Sequence, residues 1–220
     1  MFEGPKQSRA LKLGEQLLSA ASLSRLSLPI VGYVLIAFFL FQGPVFFPDQ
    51  WKRWEFITLI YAFLLIPGLL FSLLGVHPFD LPAWKSLVWF GAALGGGFLL
   101  FKLLFSGFKY GSGFPIGAIL PTAIYQAFVI TYAEESFFRG FLLEVGQRGG
   151  AGPGILFSSA LFSVFHLAAY SLQGLNFVAF GVAFVMGIVF GMIYLATRDF
   201  AGIGIVWGLH LAYNLVLLFG

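Results

Sequence analysis

An all-α, polytopic transmembrane bundle of about seven spanning helices, preceded by an N-terminal interfacial amphipathic helix, is the fold the sequence predicts. Three observations predict it. Hydrophobic residues make up 60% of the chain and charged residues 10%, whereas a soluble domain carries roughly a quarter charged residues to wet its surface. Apolar runs recur along the whole length, each near the ~20 residues that a helix needs to cross a bilayer. Ionisable side chains inside those runs are few, and they cluster in the fourth, fifth and seventh. Charge buried in lipid at mid-depth costs at least a few kcal/mol, so such residues need a partner or a purpose.

The elements follow in order. Residues 1–28 form an N-terminal segment in which Leu11, Leu13, Leu17, Leu18, Leu23 and Leu26 alternate with Lys, Arg, Glu and Ser. That spacing from Gln7 to Ser27 suits an amphipathic helix lying among lipid headgroups. Met1 to Arg25 has no apolar core followed by a small-residue cleavage site, so it does not read as a signal peptide. Residues 29–220 read as one transmembrane domain. The first span is expected over Pro29 to Phe47, closed by Pro48 and Asp49, and the second over Phe56 to Leu74, kinked at Pro67 and Gly68. The third runs from Trp84 to Phe105, the fourth from Ile116 to Leu143 and the fifth from Ile155 to Leu172. The sixth covers Phe177 to Ala196 and the seventh Ile203 to Phe219, with short turns at Gly149 to Gly154 and Thr197 to Gly202.

With the N-terminus inside, Lys6, Arg9, Lys12, Arg25, Lys85, Arg148 and Arg198 fall on the inner side. Only Lys52, Arg53, Lys102 and Lys109 fall outside, and this excess predicts a cytoplasmic N-terminus. Gly187 and Gly191 make a G-x-x-x-G step, read as close packing within the bundle rather than as a dimer face. There is no cysteine, which removes disulfides, thiolate nucleophiles and thiolate metal sites. The net charge is +3, with no basic stripe carrying interleaved aromatics, so nucleic acid is not an expected partner. Membrane lipid is.

The candidate functional residues are the polar ones inside the spans. In the fourth, Glu135 and Arg139 are four apart, on one helix face and in the favourable acid-before-base order. Glu134 is rotated by about 100° from Glu135, so Arg139 cannot serve both carboxylates equally. One carboxylate is accounted for and the other is left over. His166 sits alone on the apolar fifth span, where a hydrogen-bonded core histidine is the ordinary reading. His210 and Asn214 share a face of the seventh, where helix–helix hydrogen bonding is an alternative to a site. Taken together, these groups are most simply satisfied by facing one another in one polar pocket. His77, in a Val-His-Pro turn, reads as interfacial.

A carboxylate and an imidazole sharing a water make a general-base unit, and a second His with an Asn supplies N–H donors for an oxyanion. Water activation plus an oxyanion site describes peptide-bond hydrolysis. Glu134, His166 and His210 could instead hold a zinc ion, although the H-E-x-x-H pattern is absent.

In order along the chain stand Glu134-Glu135-x-x-x-Arg139, Phe162-x-x-x-His166 and His210-x-x-x-Asn214. This series resembles the CAAX protease and bacteriocin-processing (CPBP, or ABI) family, over a core of 116–214. The resemblance implies an intramembrane endopeptidase of the glutamate type, or a metal-dependent one, acting on a peptide or on a lipidated, for example prenylated, protein. By it, Glu134 is the base, His166 helps hold the attacking water, and His210 with Asn214 stabilises the oxyanion. Glu135, Arg139 and Phe162 shape the site. The compact form resembles the prokaryotic branch and implies the cytoplasmic membrane. Two other uses of the same residues stay open. A catalytically silent member would serve as a subunit or scaffold of a larger membrane complex. A proton-linked transporter would use Glu and His as a relay, but the chain shows no inverted halves.

Overall fold

The computed structural model describes residues 54–73, 83–105, 116–169 and 177–219, with short helical pieces at 32–33 and 35–36. The helix expected over 1–28, most of the span expected from Pro29 to Phe47, and His77 lie outside the described residues. Everything described is helix and turn, with no strand among the described residues. An apolar environment dictates this, because a helix satisfies its backbone N–H and C=O groups within its own segment. The helices are α1 (Trp54–Leu73), α2 (Ala83–Leu104), α3 (residues 116–149), α4 (Ala151–Ala169), α5 (Phe177–Ala201) and α6 (Gly204–Phe219).

Two stretches, Trp84–Leu104 and Phe177–Ala201, are long and apolar enough to cross a membrane. A soluble core helix can match them in length and composition, but it is mostly buried. Here only 11% and 28% of their most apolar windows are buried, and Leu99, Leu103, Val178 and Val185 face outward. Apolar helices with apolar outer faces have lipid as their solvent. The chain is an integral membrane protein.

Helix ends differ from the sequence expectation at two turns. The turn expected over Gly149 to Gly154 contracts to Gly150, whose φ of 112° is open to glycine and breaks the helix. α4 therefore starts at Ala151 rather than Ile155, with Pro153 in its first turn, where a missing N–H costs nothing. The turn expected over Thr197 to Gly202 likewise shrinks to Gly202 and Ile203. α5 continues to Ala201 because Thr197 bonds back to the Ile193 carbonyl and Arg198 pairs with Glu144 of α3. α3 also runs past the expected end at Leu143, to Gly149.

α3 is the central helix. From Ala133 to Leu143 every residue is buried, the pattern of a helix surrounded on all sides. Two of its stretches, Gln126–Thr131 and Ser136–Leu143, are π-helical and flank the α-helical turn Tyr132–Glu135 that holds both carboxylates. Wider π turns loosen the backbone ladder and often mark functional positions. Their carbonyls find side-chain partners. Ala127 O accepts from the Trp207 indole (2.7 Å) and from Thr131 (3.2 Å), and Phe138 O accepts from Ser158 (2.6 Å).

α6 is fixed against α2 by glycine. A Cβ at Gly204 or Gly208 would collide with the α2 backbone carbonyls of Ser86 and Phe90, so both positions require the smallest residue. Trp207, between them, stacks on Phe90 at 3.8 Å. The G-x-x-x-G step of α5 packs inside the bundle: Gly187 meets Ser159 and Gly191 meets Ile155, both on α4. This packing leaves the face of α6 that carries Trp207, His210 and Asn214 turned toward α3.

Candidate active site

Four helices bring the polar residues together. α3 supplies Glu134, Glu135 and Arg139, α4 supplies Phe162 and His166, α6 supplies His210 and Asn214, and α1 adds Tyr61. Glu134, Glu135, Arg139, His166 and His210 are all buried, with Glu135 at 0% exposure and Arg139 at 1%.

The two carboxylates have different partners. Glu135 Oε1 accepts from Arg139 Nη1 at 3.0 Å and from His210 Nδ1 at 2.7 Å. The first is the i,i+4 pair, and the second joins α3 to α6 across 75 positions of sequence. Arg139 makes no bond to Glu134 among the described contacts; its guanidinium lies over the Phe162 ring at 4.4 Å and near Phe190 at 5.6 Å. The motif phenylalanine thus covers a desolvated cation with its ring face. Glu134 is held otherwise: Tyr61 donates to its Oε1 at 3.0 Å, and His210 Nε2 stands 3.5 Å from its Oε2.

His210 lies between both carboxylates. Its Nδ1 must carry a hydrogen to bond Glu135, so its Nε2 can donate only in the imidazolium form. A proton there neutralises the charge of the second carboxylate. His166 Nδ1 donates to the Phe162 carbonyl at 2.8 Å, which leaves Nε2 as the ring's other functional atom. His166 is also close enough to Glu134, His210 and Arg139 to feel their charges. Asn214 Nδ2 donates to Gln126 Oε1 at 3.2 Å, so one amide hydrogen is committed to α3 and one remains.

Beside this cluster lies a cavity of about 330 Å³ between α4, α5 and α6. Its polar wall contains His166, His210 and Asn214, and its apolar wall includes Val182, Met186 and Leu217. Glu134 stands behind His210, one imidazole ring away from it. Polar groups converging on one side of an apolar cavity suit a chain that is mostly hydrocarbon and carries one reactive amide. If zinc were bound, Glu134, His166 and His210 would be its donors. Among the described residues, however, no three His, Asp or Glu side chains converge as a metal centre requires.

The sequence pattern does not single out three of these contacts. Tyr61 lies in an apolar run where tyrosine is unremarkable, and nothing local marks its phenol as reaching Glu134. Trp207 reads as an aromatic core residue. Gln126 did carry a signal: an amide inside an apolar run, one helix face away from the motif, obeys the same rule that exposes His210.

Fold and site together define an all-helical integral membrane protein with a buried Glu–Glu–Arg–His cluster. The family model of the type II CAAX prenyl endopeptidases, Rce1-like, matches residues 116–216. That stretch contains all three motifs and belongs to the family they resemble. No curated protein and no solved structure matches the chain.

Proposed function

We propose that this chain is an intramembrane endopeptidase that hydrolyses peptide bonds of membrane-associated or prenylated substrates. The supporting observation is the division of labour between the carboxylates. Arg139 holds Glu135, while Glu134, buried and outside that ion pair, stands beside the imidazole that walls the cavity. In this reading Glu134 is the base and His166, through Nε2, helps hold the water. The water oxygen attacks the scissile carbonyl carbon and its proton passes to Glu134. The resulting oxyanion is met by the Nε2–H of His210 and the remaining amide hydrogen of Asn214. On collapse the C–N bond breaks and Glu134 returns the proton to the leaving amine. Glu135 and Arg139 keep His210 in place.

The wider arrangement belongs to the same proposal. Residues 1–28 lie at the interface, and residues 29–220 form one domain of seven spans in the cytoplasmic membrane of a prokaryote, with the N-terminus cytoplasmic. The finer substrate choice is the prenylated peptide, which the family's printed description supports.

The test is cleavage by the purified full-length chain in proteoliposomes, with an internally quenched farnesylated peptide and a membrane-proteome peptide set as probes. Glu134→Ala and His166→Ala should each lower the rate by about a hundredfold or more. Activity that survives both substitutions would sink the mechanism. Metal analysis of the same sample, with a chelator control, tests the zinc alternative.

One observation favours a second reading, a silent member acting as a subunit or scaffold. Trp207, His210 and Asn214 all tie α6 to α3, and such links hold helices together whether or not anything is cut. A folded chain that cleaves nothing and co-purifies stoichiometrically with a larger membrane complex would favour it.

A further inference from the structure

We infer that Tyr61 is a positioning residue of the site: its phenol fixes the Glu134 carboxylate through Oε1 and thereby makes Oε2 the oxygen that handles the proton. The inference rests on the reading of Glu134 as the base. Tyr61 belongs to α1, outside the segment 116–216 that the family model matches, so a helix beyond the motif-bearing core completes the site.

Geometry carries the assignment. Tyr61 is 7% exposed and donates its O–H to Glu134 Oε1 at 3.0 Å, across 73 positions of sequence. A phenol donating to an ionised carboxylate is a charge-assisted bond, stronger than a neutral one. The bond occupies one oxygen of the two. The other, Oε2, faces the Nε2 edge of His210 at 3.5 Å, on the side where His210 walls the cavity. A free glutamate side chain has several rotamers and a freely turning carboxylate. Held at one oxygen, the group presents a single lone-pair direction to a water.

α1 is placed to make this bond reproducibly. Ile60 and Leu64, one turn apart on α1, are buried in the same core cluster as Ala133, Phe137 and Phe138 of α3. Thr58 bonds the hydroxyl of Tyr125 at 2.9 Å, three residues before Tyr61, which gives α1 a second polar tie to α3. The phenol is thus delivered to Glu134 from a packed helix rather than from a loop. Arg139 cannot do this task, because its guanidinium is committed to Glu135 and to the Phe162 and Phe190 rings.

The experiment compares wild type with Tyr61→Phe, which keeps the ring and removes only the hydroxyl. Two readouts are taken on the full-length chain in proteoliposomes. The first is the rate at which dicyclohexylcarbodiimide, an apolar carboxyl reagent, modifies Glu134, followed by peptide mass spectrometry with Glu135 as internal control. Freeing Oε1 should speed modification of Glu134 several-fold and leave Glu135 unchanged. The second is cleavage of the farnesylated peptide, where kcat should fall by about tenfold to a hundredfold with KM and the thermal unfolding midpoint unchanged. An unchanged Glu134 modification rate would overturn the inference even if the wild type cuts. A fall in kcat that merely follows a fall in unfolding midpoint would overturn it too, by making Tyr61 a packing residue. If wild type cuts nothing while the labelling rate responds, the hold on Glu134 stands and the proteolytic reading falls.

Discussion

Two glutamate–arginine clusters sit on α3, and they are built differently. At the end of the helix, Glu144 Oε1 accepts from Tyr194 at 2.7 Å and Arg198 at 2.5 Å, while Oε2 accepts from Gln147. Both oxygens are satisfied, and Arg198 keeps 23% of its side chain exposed. In the middle of the bundle, Glu135 and Arg139 are sealed at 0% and 1% exposure, yet Glu135 Oε2, Ser136 Oγ and Arg139 Nη2 have no hydrogen-bond partner among the described residues. A buried polar atom without a partner costs about 1–3 kcal/mol. The end cluster is built as a closed clasp between α3 and α5. The middle cluster carries uncompensated polar groups beside a cavity, which is how a fold looks where chemistry rather than stability has set the residues.

Breaking the middle cluster should therefore have the largest effect on stability. Arg139→Leu removes the cation from a sealed site and leaves Glu135 with His210 as its one partner. Unfolding in mixed detergent micelles should show a loss of roughly 3–5 kcal/mol, the range for stranding one member of a buried pair. Glu135→Gln in the same chain should restore part of that loss, because it removes the stranded charge. A single variant as stable as wild type would mean that the pair is not desolvated as described.

How much of this was legible in the sequence follows from the physics of lipid. Low charge and apolar runs forced helices, and the bounds of α2 and the start of α5 follow from hydropathy alone. The motif residues were visible because a charge inside an apolar run stands out against its surroundings. The partners were not visible in the same way. Tyr61 and Trp207 look apolar at the level of pattern, and which carbonyl or carboxylate they reach depends on helix packing. The π turns of α3 were also hidden, since no residue in Gln126–Thr131 or Ser136–Leu143 announces a wider turn. They decide how side chains on α3 are phased, and so which helix each one meets. The ends of α3, α4 and α5 were misread where a tertiary contact, such as Arg198 with Glu144, or a helix-starting proline extended a helix beyond its hydropathy.

A smaller effect tests whether the middle cluster extends to the amide pair. Gln126 accepts from Asn214 and orients its amide toward the cavity wall. Gln126→Ala should lower kcat on the farnesylated peptide by about tenfold, the worth of roughly 1.4 kcal/mol at the transition state, and the effect should vanish in an Asn214→Ala background. Effects that simply multiply in the double variant would place Gln126 outside the site.

The smallest expected effect lies in the end cluster and completes the contrast. Arg198 is partly exposed, and its removal leaves Glu144 with Tyr194 and Gln147 still bonded to it. An ion pair open to solvent contributes only about 0–1 kcal/mol, so Arg198→Ala should shift unfolding by no more than that. It should leave kcat unchanged, because nothing in the clasp touches the cavity. The useful outcome is the ratio between the two arginines on one helix. If Arg198→Ala lowers kcat as strongly as Arg139→Leu lowers stability, then the clasp sets the phase of α3 through its π turns, and the two clusters work as one device.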